Sequence, residues 1–234
     1  MSPTDEIKRL LQECTPEQRR AIFVHLRQEF PIHPLEDKLN AKAEVILSAL
    51  ARANDVMLRG VRGVIAEAAF LIEVITPGPT GRWQDDTPSG AHPFDFMFQD
   101  PQGTVRVQVK LQRQKEHRPM MGYEAPRYCA FPSDLFVVET QRTRGGTTST
   151  GEKTRPYRFG EFDILGVCLH PSTGKWTDFV YTVANWLLPD RSSPSNVLKY
   201  QPVSTMESDG WTGDFERCVS WFRSGPQRRI CERG

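Results

Sequence analysis

Residues 93–110, PFDFMFQDPQGTVRVQVK, leave this chain fewer folding choices than any other stretch. From Thr104 the sequence TVRVQVK alternates strictly, with Val105, Val107 and Val109 on one side and Arg106, Gln108 and Lys110 on the other. A period of two marks a strand that buries one face. PFDFMF alternates more loosely and is rich in aromatics, which suits a second strand. Between them Asp100-Pro101-Gln102-Gly103 carries turn chemistry, because Pro presets φ and Gly accepts the positive φ of a reversal. The stretch predicts a β-hairpin. Side chains two apart on a strand share a face, so the polar face gathers Asp95, Gln108 and Lys110 at one end. A carboxylate, an amide oxygen and an ammonium converging there suit a hard divalent cation with a water oriented beside it.

Upstream, residues 59–69 read as a helix whose small residues Gly60, Gly63, Ala66, Ala68 and Ala69 permit close approach to a sheet. Glu67 among them faces either a metal or solvent. Residues 70–76 either continue the helix or open a strand, since LIEVIT is β-branched enough for one. Asp95, twelve intervening residues and then Gln108-Val109-Lys110 resemble the PD-(D/E)xK nuclease superfamily, in the variant whose second acid is Gln. Pro93 and Asp95 stand one residue further apart than the family's Pro-Asp. RGVRGVIAEAAF looks like the family's first core helix, with Glu67 in the place of its helical carboxylate. The resemblance spans residues 59–111.

That resemblance implies an α/β (α+β) restriction-endonuclease-like core, a central mixed β-sheet flanked by helices. It implies a metal-dependent deoxyribonuclease, with Asp95, Gln108 and Glu67 around Mg2+ (Mn2+ substituting) and Lys110 positioning the attacking water. Gln108 supplies a neutral oxygen where most relatives have an acid, which weakens the metal site. A type II restriction enzyme is the first reading: a homodimer cutting double-stranded DNA, with a cognate DNA methyltransferase as genetic partner. A structure-selective repair or junction nuclease, and a DNA-binding protein with a degenerate site, stand beside it.

Residues 1–58 read as a helical N-terminal subdomain, and residues 59–234 as the core with DNA-contacting loops and a C-terminal helix. Ser2-Pro3-Thr4-Asp5 and Thr15-Pro16-Glu17-Gln18 both have a hydroxyl cap, Pro at the first position and an acid or amide two residues further on. The subdomain serves as scaffold, or in dimerisation or DNA contact. Residues 135–139 and 162–169 predict buried strands, 176–183 a pairing strand, and 214–222 an amphipathic helix burying Phe215 and Val219 with Trp221 or Phe222. Asp163 either adds to the site or caps a strand end.

Net charge is +1, so any polyanion must be held by local patches. Residues 104–118 are basic, and residues 141–158 carry Arg142, Arg144, Lys153, Arg155 and Arg158 against Glu152. The latter stretch lacks apolar periodicity; it wraps phosphates or is plain surface loop. Arg113, Lys115, Arg142, Arg144, Lys153 and Arg155 are the candidate DNA-binding residues. Five scattered cysteines form no CxxC pair, and five histidines show no metal spacing. No run of about 18 apolar residues predicts a membrane span. The opening MSPTDEIKRLL has no basic-then-apolar leader, so the expectation is a cytoplasmic protein without membrane attachment.

Overall fold

The computed structural model describes residues 2–30, 34–77, 82–126, 129, 131–142, 155–205, 207, 210–225 and 228–230. The chain forms two compact units, residues 1–59 and 60–234. The first is helical, with α1 (Pro3–Glu13), α2 (Pro16–Glu29), α3 (Pro34–Leu39) and α4 (Ala43–Ala51). Both sequence-predicted starts form capping boxes: Ser2 Oγ accepts from Asp5 N at 3.2 Å, and Thr15 Oγ1 accepts from Gln18 N at 3.3 Å. Each box satisfies backbone donors that a helix start otherwise leaves open. Glu36 Oε1 accepts from Ala43 N at 2.7 Å, which ties α3 to the start of α4. The boundary between the units falls within α5 (Asp55–Ala69), which runs on into a π-helical turn at Phe70–Ile75.

The second unit is α+β. Its described strands are β1 (Gln84–Asp85), β2 (Phe96–Asp100), β3 (Gly103–Leu111), β4 (Gln114–Lys115), β5 (Arg118–Pro119), β6 (Phe136–Glu139), β7 (Ile164–Cys168), β8 (Phe179–Val183) and β9 (Tyr200–Val203). Five of them build a central mixed sheet in the order β1-β2-β3-β7-β8, antiparallel except for the parallel pair β3/β7. Helices flank it: α6 (His170–Thr173) between β7 and β8, α7 (Phe215–Ser224), and the end of α5. The predicted hairpin is β2/β3, turning at Asp100↔Gly103 with Gly103 at φ 124°. Its first strand starts at Phe96, three residues later than the aromatic run suggested.

Alternation places the core. Val105, Val107 and Val109 are 0–1 % exposed on one face, each burial contributing roughly 1.5–3 kcal/mol. Phe70 is fully buried on that side, with Phe96, Phe179 and Phe215 at ring-centroid distances of 5.7, 5.7 and 5.4 Å. Gly166 of β7 sits opposite Tyr181, where a Cβ would lie 3.3 Å from the ring. Residues 70–76 thus resolve as helix, because Phe70 fills the aromatic centre only while α5 keeps its direction. The antiparallel pair β6/β9 is a separate two-stranded ladder, and β9 was not foreseen in the sequence. α7 opens at Asp214, whose carboxylate accepts from Arg217 N at 3.1 Å; it buries Phe215, Cys218 and Val219. Among the described residues no helix is long and apolar enough to cross a membrane.

Candidate functional site

The other face of β3 carries the polar residues. The β2/β3 register pairs Phe96 with Val107, and Asp95 N donates to Val107 O at 3.0 Å, so Asp95 stands opposite Gln108. Here the backbone ladder ends and a side chain continues it: Asp95 Oδ2 accepts from Val109 N at 2.8 Å and from Gln108 Nε2. Gln108 is 1 % exposed, and its Nε2 also donates to Val109 O at 3.2 Å. Burial pushes the Asp95 carboxyl above its usual range, although the Lys110 charge and the hydrogen bonds from Val109 and Gln108 oppose the shift.

Glu67 lies on α5, three residues before the buried Phe70. Its carboxyl is pushed up to about 7, first by burial and then by the negative charge of Asp95, with Lys110 pulling the other way. Two carboxylates and one ammonium therefore share a partly buried space. Among the described residues no carboxylate is within ion-pair distance of Lys110 Nζ. The ammonium instead lies 5.5 Å from the centroid of the Tyr157 ring. The sequence-predicted residues Asp95, Gln108, Lys110 and Glu67 are thus brought together.

Tyr157 is the residue that sequence reading missed. It is 4 % exposed, and burial raises its hydroxyl pKa. It is held on both sides: the isolated bridge Gln141↔Pro156 lies next to it, and its carbonyl accepts from Val197 N at 2.8 Å. No local signal marks it, because it sits between Pro156 and Arg158 in a stretch without periodicity.

The basic candidates divide. Arg113 Nη1 is 3.6 Å from Glu139, and Lys115 Nζ is 3.3 Å from Glu124, which Arg118 also grips at 2.7 Å. Arg118 holds the Glu124 carboxyl down to about 2. Arg142 bonds Glu161 at 2.6 Å and lies 5.5 Å from the Tyr157 ring centroid. Arg155 is exposed, and its Nε donates to Arg142 O at 3.2 Å. Arg144 and Lys153 lie outside the described residues. Asp163 takes the strand-capping role: it accepts from Arg106 N at 2.8 Å and pairs with the Arg106 guanidinium at 2.7 Å.

The donor set fits a hard cation. Among the described residues nothing donates a hydrogen bond to the Glu67 carboxylate, to Asp95 Oδ1 or to Gln108 Oε1. All three are oxygens, the ligand class of Mg2+ and Ca2+. The site is sparse, because no cluster of three His, Cys, Asp or Glu side chains occurs among the described residues.

No protein-family model matches this chain, and no curated protein matches its sequence. Among solved structures it is similar to a bacterial homing endonuclease, at 19% identity and a TM-score of 0.38, over 66% of this chain and 82% of that one. At that distance the likeness assigns no function.

Proposed function

We propose that the chain is a metal-dependent DNA endonuclease of the PD-(D/E)xK class in its QxK variant. One observation carries the reading: burial raises the proton affinity of both Asp95 and Glu67, the charge of Asp95 raises that of Glu67 further, and a neutral amide stands beside them with no ion-paired cation. Two carboxylates so placed are stabilised by binding a divalent cation. When bound, that cation would offset charge on the phosphate oxygens and acidify a water.

The chain's own residues do the rest. Asp95 and Glu67 would hold the cation through carboxylate oxygens, and Gln108 would offer Oε1. Its Nε2, donating to Asp95, keeps that carboxylate oriented. Lys110 would donate hydrogen bonds to the attacking water and to a non-bridging phosphate oxygen, where negative charge grows in the transition state. The finer assignment is a type II restriction enzyme, a cytoplasmic homodimer on double-stranded DNA with a methyltransferase partner and the helical unit as its appended subdomain. A DNA-binding protein that no longer cuts is the second reading; it is favoured by Gln108, whose amide is committed to Asp95 where most relatives place a metal-binding acid.

Supercoiled plasmid incubated with Mg2+ or Mn2+ tests both. The nuclease reading expects nicked and linear product, stopped by chelator and absent for Asp95→Ala; discrete bands mark a restriction enzyme. Retardation of duplex without cleavage under either metal returns the second reading.

A further inference from the structure

Arg142 sits beside this site in a way that a general grip on DNA does not require. Its guanidinium donates through Nη2 to Glu161 Oε1 at 2.6 Å, and the pair is about one-quarter to one-third exposed (31 % and 23 %). Glu161 is itself fixed, because its other oxygen accepts from Arg158 N at 2.9 Å. The Arg142 Cζ and the Lys110 Nζ each lie 5.5 Å from the centroid of the same ring, Tyr157. The backbone of Arg142 is pinned as well: its N–H donates to Arg155 O at 3.0 Å, and its carbonyl accepts from Arg155 Nε. So the side chain is held at the ring, at Glu161 and at its own peptide.

What it is held for is left open by the protein. Nε of Arg142 is buried and has no hydrogen-bond partner among the described residues. A buried donor is ordinarily satisfied, and an exception points to an acceptor that arrives from elsewhere. A guanidinium has only donors, arranged in a fork that matches two oxygens of a carboxylate or phosphate. Lys110, the neighbouring cation, belongs to the proposed cleavage site. Two cations at one aromatic ring, one of them with an unused donor, are matched by the paired non-bridging oxygens of a phosphate.

We propose that Arg142 is a phosphate-binding residue of the catalytic centre, which grips non-bridging oxygens of the scissile or adjacent phosphate next to Lys110. Tyr157 is the positioning residue that spaces the two cations, and Glu161 orients the fork. This rests on the nuclease reading for the identity of the polyanion, but the phosphate site stands or falls on binding alone. All three cations have a carboxylate partner, Arg142 with Glu161, Arg113 with Glu139 and Lys115 with Glu124; what sets Arg142 apart is its place at the Tyr157 ring with a buried donor unused.

Thymidine bisphosphate serves as the probe, titrated by calorimetry into the full chain with Mg2+ present, alongside single-turnover plasmid cleavage. The expected result for Arg142→Ala is a loss of about tenfold or more in probe affinity, the scale of one charged hydrogen bond. Cleavage at saturating DNA should fall about 100-fold. Arg142→Lys, which keeps the charge and loses the fork, should recover less than half of either loss. Arg142→Gln replaces Arg142→Ala if the latter does not fold. Probe affinity unchanged in a folded Arg142→Ala or Arg142→Gln, or no probe binding by the unmutated chain, overturns the proposal. An unmutated chain that binds the probe through Arg142 but never cuts DNA sinks the nuclease reading and leaves this site standing. A chain that cuts, with cleavage and probe binding indifferent to Arg142, sinks this proposal alone.

Discussion

Two aspartates lie five residues apart on the same hairpin and meet opposite fates. Asp100, at the turn, is 3 % exposed in its side chain and clasped by Arg223, with Nη2 to Oδ1 at 2.6 Å and Nη1 to Oδ2 at 2.8 Å. Those bonds hold its carboxyl below the usual range. Asp95, at the open end, receives a backbone N–H and an amide N–H but no ion-paired cation, and its carboxyl is pushed up. A buried charge with its counter-charge fixes architecture; one without it is costly unless something binds. The Arg106–Asp163 pair, on the same face as Gln108, belongs with Asp100: a clamp from β3 to the start of β7. Only the Asp95 end of the hairpin is left electrostatically incomplete.

The contrast can be broken from either side. The largest effect is expected at Lys110, where Lys110→Ala should lower single-turnover cleavage roughly 10²–10³-fold, since the lost charge acts on developing negative charge. Duplex affinity measured by fluorescence anisotropy should change far less. A variant cutting at the unmutated rate would place Lys110 outside the chemistry. At the other end, Asp100→Ala leaves the Arg223 guanidinium without its carboxylate, and stability in urea should fall by about 3 kcal/mol. The folded fraction should still cut at the normal rate; a specific loss of activity would mean that the two ends of the hairpin are coupled.

The smallest effect concerns pH. Glu67 has a folded-state pKa of about 7, above its ordinary value of 4.5. A raised carboxylate pKa makes its contribution to stability fully present below the unfolded value and lost as pH rises through the folded one. The chain should therefore lose stability from about 4.5 to about 7 in chelator, and Glu67→Gln should flatten that part of the curve. Adding Mg2+ should restore stability above about 7 in the unmutated chain but not in the variant. Urea midpoints across that window check the sign, and parallel curves for the two proteins would remove Glu67 from the site.

Much was legible because it is local. Val105, Val107 and Val109 alternate with Arg106, Gln108 and Lys110, and a strand with that period has one possible buried face. Ser2 with Asp5, and Thr15 with Gln18, close capping boxes within four residues, so their geometry needs no distant partner. Asp95, Gln108 and Lys110 lie on one hairpin, and the turn at Gly103 sets their register. Glu67 was placed by resemblance, and its distance from the hairpin depends on α5 packing Phe70 among Phe96, Phe179 and Phe215.

What only the tertiary structure decided is which charges are answered. Asp100 meets Arg223 across more than a hundred residues, Arg106 meets Asp163 across the crossover, and Lys110 meets the Tyr157 ring with Arg142 alongside. Alternation and caps are written in neighbouring residues, because the backbone geometry that reads them repeats every two to four positions. Charge compensation between distant residues follows no period: it depends on the parallel β3/β7 pairing and on the course of the chain between those strands.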